Sequence, residues 1–149
     1  MSKRIVLDSG PLSQVAHPKA AKALAEWFLS VLASDCVVFL PEIADYEVRR
    51  ELIRAGKTRS VGRLDQVKEM LDYLPIDTRT MRQAATLWAE ARRRGKPTAD
   101  PKELDGDVIL AAQARLANAI VATNNIGHLD QFVDTREWRN MGFPDDRAE

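Results

Sequence analysis

Asp8 follows the apolar run Ile5-Val6-Leu7. Glu47 lies inside Ile43-Ala44-Asp45-Tyr46-Glu47-Val48. Asp105 and Asp107 flank Gly106 just before Val108-Ile109-Leu110-Ala111-Ala112. A carboxylate near an apolar interior is costly unless it is paired or metal-bound. Several that converge repel one another, and they either take up protons or recruit a cation. Hard oxygen ligands favour Mg2+ or Mn2+ and need neither thiolate nor imidazole, which suits a chain with one cysteine and two histidines. A cation held this way makes a water more acidic and neutralises charge on a phosphoryl oxygen, which is what phosphodiester hydrolysis requires. Each acid alone has a plainer role. Asp8 can cap a turn, Glu47 can pair with Arg50 on a helix surface, and Asp105 or Asp107 can serve as an N-cap or complement a helix dipole. Their joint arrangement is what favours chemistry.

These residues must be positioned by the elements around them. Arg4-Ile5-Val6-Leu7 reads as a buried strand that ends at the turn cluster Asp8-Ser9-Gly10-Pro11. After the break at His17-Pro18, Lys19 to Ala33 has helical spacing, with Ala20, Leu24, Trp27, Phe28 and Val31 on one face. Val37 to Leu40 reads as a second strand closed by Pro41. Ile43 to Ala55 reads as a helix stopped by Gly56, and Ser60 to Leu71 as another. Leu74-Pro75-Ile76 suggests a short strand. Asp77 or Thr78 would cap a helix running to about Arg94, before Gly95. Gly95 to Glu103 reads as a loop, Asp107 to Ala117 as a buried helix, Ala119 to Ala122 as a strand, and Gln131 to Val133 as a last short strand. The tail after Gly142 is polar.

Short apolar strands alternating with helices imply an α/β fold: a three-layer α/β/α sandwich around a central parallel sheet. In such sheets ligands bind beyond the carboxyl ends of the strands, where Asp8, Asn124 and Asn125 are expected. The 149 residues fit a single domain over 1–142 with a polar tail at 143–149. With 22 basic and 22 acidic residues, net charge favours no partner class. Cys36 reads as a small buried hydrophobe. No run approaches the length of a membrane span and no leader-like segment opens the chain, so a cytoplasmic setting is expected.

In this order, the segments resemble the PIN-domain family, and within it the VapC-type toxins of bacterial toxin–antitoxin pairs. The resemblance covers nearly the whole chain. Ile5-Val6-Leu7-Asp8-Ser9-Gly10-Pro11-Leu12 is similar to the family's strand-to-acid start, with Asp8 in the place of its first metal-binding aspartate. Pro41 to Leu52 resembles the second motif, with Glu47 as its acid. Asp107-Val108-Ile109-Leu110-Ala111-Ala112 is similar to the third acid and the core helix after it. Ala119-Ile120-Val121-Ala122-Thr123-Asn124-Asn125 resembles the strand and Thr-x-Asn turn of the fourth. Many relatives carry an acid three residues after that Asn, where this chain has His128. Asn125, Asp130 or Asp105 would supply the missing oxygen, unless three acids suffice.

The resemblance implies a metal-dependent endoribonuclease with Asp8, Glu47 and Asp107 holding Mg2+ or Mn2+, and Asp105 and Asn125 as further candidate ligands. Ser9, Thr123 and Asn124 would orient those ligands, while Arg49, Arg50 and His128 would contact RNA. It also implies a VapB-like antitoxin partner, seated on the helical pair Ile43–Ala55 and Ser60–Leu71, and a homodimer. The basic set Arg92, Arg93, Arg94 and Lys96 reads as a solvated helix end, and Trp27, Trp88 and Trp138 as packing residues. The alternative is a PIN-like module that binds RNA or protein without cutting. An aspartate-nucleophile phosphatase is disfavoured because Gly10 stands where its second Asp belongs. A dinucleotide fold is disfavoured because no glycine-rich loop follows the first strand.

Overall fold

Ile5, Val6 and Leu7 are all fully buried, but on opposite sides of one sheet. Ile5 and Leu7 pack with Leu12, Leu24, Val31 and Leu64, whereas Val6 packs with Leu87, Val108, Ala111 and Val121. Neighbouring strands repeat the alternation. Val38 and Leu40 face the first cluster and Phe39 the second, as the two-residue period of a strand dictates. The computed structural model describes residues 3–95 and 101–141, without the side chains of 101–103. The expected tail, Lys96 and most of the expected loop before Asp107 lie outside the described residues.

Five strands, β1 (Arg4–Leu7), β2 (Val37–Pro41), β3 (Asp72–Leu74), β4 (Ile120–Thr123) and β5 (Thr135–Glu137), form one sheet in the order β3-β2-β1-β4-β5. Every pairing is parallel. The helices α1 (Ser9–Val15), α2 (Lys22–Ala33), α3 (Glu42–Arg54) and α4 (Thr58–Met70) precede β3, and α5 (Thr78–Arg94) and α6 (Pro101–Leu116) follow it. They cover the two faces and complete the three-layer α/β/α sandwich. From β1 the chain steps outward through β2 to β3, then returns to place β4 on the other side of β1. The strand order therefore reverses between β1 and β4, and a crevice opens at their carboxyl ends.

Local chemistry explains the helix ends. Ala55 closes α3, and Gly56 follows at φ 68°. The Gly56 N–H donates to Ile53 O at 3.0 Å and the Lys57 N–H to Leu52 O at 2.9 Å. This Schellman arrangement needs a left-handed residue, which glycine supplies cheaply. Asp77 caps α5 by accepting from the Thr80 N–H at 2.8 Å. Buried Gln113 on α6 accepts from the Ile43 N–H at 3.3 Å and donates to Leu74 O at 2.7 Å, so α6 holds the start of α3 against the end of β3.

Four expectations require correction. Asp8-Ser9-Gly10-Pro11 is not only a turn, because α1 starts at Ser9. Pro11 falls in its first turn, where a missing N–H costs nothing. The α6 helix begins at Pro101 rather than Asp107, with proline at the first position it tolerates best; Asp105 and Asp107 are therefore helix-interior residues and not caps. The strand near Leu74 spans Asp72–Leu74 and ends before Pro75, which has no N–H for a ladder. Gln131 to Val133 is not a strand. Leu129–Gln131 is a 3-10 turn that buries Leu129 and precedes Phe132, and the last strand is Thr135–Glu137.

Candidate active site

Asp8 leaves β1 in extended conformation (φ −71°, ψ 164°) and caps α1. Its Oδ1 accepts from the Ser9 N–H at 2.7 Å. Its Oδ2 accepts from the Thr123 hydroxyl at 2.8 Å. Thr123 is the last residue of β4, is 2% exposed, and accepts in turn from the Asn125 N–H at 3.3 Å. The half-buried Asp8 carboxylate is thus fixed in rotation by one donor from each side of the crevice. Each oxygen keeps a further lone pair.

Glu47 reaches the crevice from the second turn of α3. Its carboxylate lies against α6 at Gly106, where a Cβ would stand 2.5 Å from Glu47 Oε2 and 3.5 Å from its Cδ. A glycine inside a helix costs about 1 kcal/mol relative to alanine. Here that loss leaves room for a carboxylate. Asp107 follows directly on the same helix. Asp8, Glu47 and Asp107 line one cavity of about 540 Å³, together with Ser9, Gly106 and Arg50. Among the described residues, no three His, Cys, Asp or Glu side chains are grouped tightly enough to grip one metal ion between them.

The remaining expected residues separate. Arg50 lines the cavity, with its guanidinium carbon 5.0 Å from the centre of the Tyr46 ring. Arg49 does not line it. Its Nε donates to Asp45 Oδ2 at 3.0 Å, and its Nη2 to Asp45 Oδ1 at 3.0 Å and Asp65 Oδ1 at 2.8 Å. The hydrogen bond to Asp45, foremost, raises the guanidinium pKa further above its ordinary value. Asp105 points elsewhere: two residues before Asp107 on a helix is about 200° around the axis. It borders an apolar depression with Met81, Trp88 and Ile109. Asn125 is exposed, and its Oδ1 accepts from the Gly127 N–H at 3.1 Å. His128 is exposed at the start of the 3-10 turn. Neither is among the residues lining the cavity. Ser9 acts on Asp8 through its backbone N–H, and Asn124 accepts from the indole of Trp138.

Sequence reasoning missed Gly10, Ser13, Gly106 and Glu51 as lining residues. One signal was available for Gly106, because a glycine within a helical pattern calls for a packing reason. Nothing in the one-dimensional pattern marks Gln113 or Trp138. No helix among the described residues is long and apolar enough to cross a membrane.

Comparison with known proteins adds three observations. A model of the PIN-domain family matches residues 5–131. No protein with a curated description matches the chain. The chain is similar in structure to FitAcB from Neisseria gonorrhoeae, at 25% identity and a TM-score of 0.71 over 92% of this chain and 99% of that one. It also resembles VapBC2 from Rickettsia felis, solved with a DNA fragment from its promoter, at 15% identity and a TM-score of 0.76 over 91% and 98% of the two chains. DNA-bound VapBC from Salmonella typhimurium matches at 21% identity and a TM-score of 0.70, over 93% and 99%. At their lower identity, the last two attest the fold alone.

Proposed function

The chain belongs to the PIN-domain family, and from that premise we propose that it is a metal-dependent endoribonuclease, the toxin of a toxin–antitoxin pair. The observation that carries this reading is the cavity into which β1, α3 and α6 bring Asp8, Glu47 and Asp107. The donor set fits a hard divalent cation: carboxylate oxygens, with glycine at an α6 position where a side chain would meet Glu47. The absence of a tight three-residue group among the described residues suits Mg2+ better than a demanding all-protein cage, because Mg2+ is commonly held through one or two carboxylates and keeps several waters. Bound there, Mg2+ or Mn2+ supplies Lewis acidity toward a phosphoryl oxygen and a more acidic water.

The chain's own groups divide the remaining work. Asp8 is the anchored ligand, held by Ser9 and Thr123. Glu47 and Asp107 complete the negative wall. Arg50 attracts the phosphate backbone of the substrate, which positions it without reading sequence. Arg49 has no part in this, since two carboxylates already engage it. We assign no ligand role to Asp105, which sits on the far side of α6. Asn125 and His128 stand at the turn beyond β4, outside the cavity, and enter only if substrate extends that far.

A VapB-like antitoxin, a homodimer and a cytoplasmic setting belong to the same proposal. The FitAcB neighbour supports the first. A second reading, a PIN-like module that binds RNA or protein without cutting, draws support from the lack, among the described residues, of three His, Cys, Asp or Glu side chains grouped to hold a metal ion. Incubating the protein and its Asp8→Asn variant with single-stranded RNA, with Mn2+ or with EDTA, separates the two. Cleavage confined to the wild type with Mn2+ supports the nuclease. Equal inactivity of both proteins supports the module.

A further inference from the structure

Trp138 lies beyond the stretch that the family model matches, in the 3-10 turn Trp138–Asn140 that follows β5. It is 8% exposed, and its ring centre stands 5.7 Å from that of Trp27 at an interplanar angle of 49°. The Trp27 indole donates to Met141 O at 3.2 Å, which ties the end of the described chain to α2. Packing accounts for those contacts. It does not account for the Trp138 N–H, which donates to Asn124 Oδ1 at 2.9 Å.

An amide has an oxygen end and a nitrogen end, and an indole N–H can pair only with the oxygen. The bond therefore fixes which way Asn124 faces, turning its Nδ2 toward Gly10. A Cβ on Gly10 would lie 2.7 Å from that nitrogen and 3.3 Å from Asn124 Cγ, so the amide is wedged between the C-terminal turn and the first turn of α1. Gly10 borders the cavity, and its neighbour Ser9 supplies the N–H that holds Asp8 Oδ1. Asn124 itself follows Thr123, which holds Asp8 Oδ2.

We propose that Trp138 is a positioning residue for the Asp8 carboxylate, acting through the Asn124 amide on the first turn of α1. Its importance for activity rests on the nuclease reading of the cavity; the mechanical coupling does not. Without the indole N–H, Asn124 is free to rotate, and the Ser9–Gly10 turn loses the wedge that sets its distance from β4.

The test uses the full chain with Trp138→Phe, which keeps an aromatic ring against Trp27 and removes the donor together with part of the ring's volume. Asn124→Asp, which keeps the accepting oxygen and the side-chain size, is the matched control for the indole contact. Asn124→Ala breaks the same link from its other end and stands in if Trp138→Phe does not fold. Two readouts are taken well below the thermal midpoint: the backbone amide signals of Ser9 and Gly10 in metal-free protein, and Mn2+ affinity. Trp138→Phe and Asn124→Ala are expected to shift the Ser9 and Gly10 signals and to weaken Mn2+ binding roughly 10-fold, the usual scale for partners that orient a ligand. Unmoved Ser9 and Gly10 signals in either of these two, when folded, overturn the proposal. If the signals move while Mn2+ affinity stays at the wild-type value, the coupling to Asp8 is overturned. If the wild type binds no Mn2+, the nuclease reading fails, and the coupling is then decided by the amide signals alone.

Discussion

The Thr123 hydroxyl donates to Asp8 Oδ2 at 2.8 Å, from the last residue of β4 to the first residue after β1. Asp8 and Thr123 are 115 positions apart in the chain, yet the parallel register pairs Leu7 with Ala122 and so sets their followers side by side. The sheet itself thus aligns the carboxylate at the point where strand order reverses.

Replacing Thr123 by valine keeps a branched side chain and removes that donor. A neutral–charged hydrogen bond of this kind is worth about 1.5–3 kcal/mol, and partners that orient ligands typically govern about 10–100-fold in activity or metal affinity. Thr123→Val should lower Mn2+-dependent RNA cleavage by at least about 10-fold, with Thr123→Ser restoring most of it. Initial rates for the three proteins decide this. Equal rates for valine and threonine would remove Thr123 from the site.

Gly106→Ala separates stability from activity. Alanine favours a helix interior by about 1 kcal/mol over glycine, but the new Cβ would meet Glu47 Oε2 at 2.5 Å. The Glu47 carboxylate is the far end of a flexible side chain and can swing away. The variant's unfolding free energy should therefore lie within about 1 kcal/mol of the wild type's, while Mn2+ binding weakens roughly 10-fold. Urea unfolding and a Mn2+ titration give the two values. Full Mn2+ affinity in the variant would mean that Glu47 need not occupy that position.

Arg49 should matter for stability and not for substrate. Arg49→Ala leaves Asp45, 9% exposed, without its bidentate partner. Breaking a fully buried pair costs about 3–5 kcal/mol. The Arg49 side chain is 27% exposed, so solvent screening should reduce the loss to about 2 kcal/mol. RNA binding by the folded fraction should stay at the wild-type level, whereas Arg50→Ala should weaken it and flatten its salt dependence. Filter binding at several salt concentrations distinguishes the two arginines, and a matching loss in Arg49→Ala would return that residue to the substrate path.

Asp77 gives the fold an acid limb. Accepting from the Thr80 N–H, foremost, holds its carboxyl below the ordinary value of 3.8. A group whose pKa is lower folded than unfolded stabilises the fold above its unfolded value and ceases to do so as pH falls through its folded one. An asparagine at this position would still cap α5 but could not titrate. Asp77→Asn should therefore have a urea midpoint near the wild type's at pH 7 and a shallower decline below about pH 4. Parallel declines for the two proteins down to about pH 2, below the ordinary carboxylate range, would assign the acid limb to other carboxylates.

Singly, Asp8, Glu47 and Asp107 each have a plainer role in the sequence; what stands out is their order beside apolar runs, and the fold brings the three to one cavity. Asp8 follows the buried run Ile5-Val6-Leu7, and Asp107 opens the Val108–Ala112 run of α6. The alternation of strands and helices carries the layer architecture for the same reason, since buried parallel strands read as unbroken apolar runs. The errors arise where partners are distant in sequence. Nothing near Arg49 announces Asp65 on the next helix. Asp105 groups with Asp107 only while the helix is expected to begin after it; once α6 starts at Pro101, a spacing of two puts them on opposite sides. Thr135-Arg136-Glu137 carries no apolar signal, and only pairing with β4 makes it a strand. The Gly-Pro pair after Asp8 obscures α1, because turn chemistry and first-turn helix chemistry use the same residues.

Asp8, Glu47 and Asp107 are proposed to serve one divalent cation together, in part through its waters. Mn2+ affinity, by calorimetry or electron paramagnetic resonance, is measured for the wild type and for Asp8→Asn, Glu47→Gln and Asp107→Asn. Measurable binding by the wild type, weakened at least about 10-fold by each substitution alone, is the predicted result. A wild type that binds no Mn2+, or any one of the three variants binding it as tightly as the wild type does, would contradict the claim.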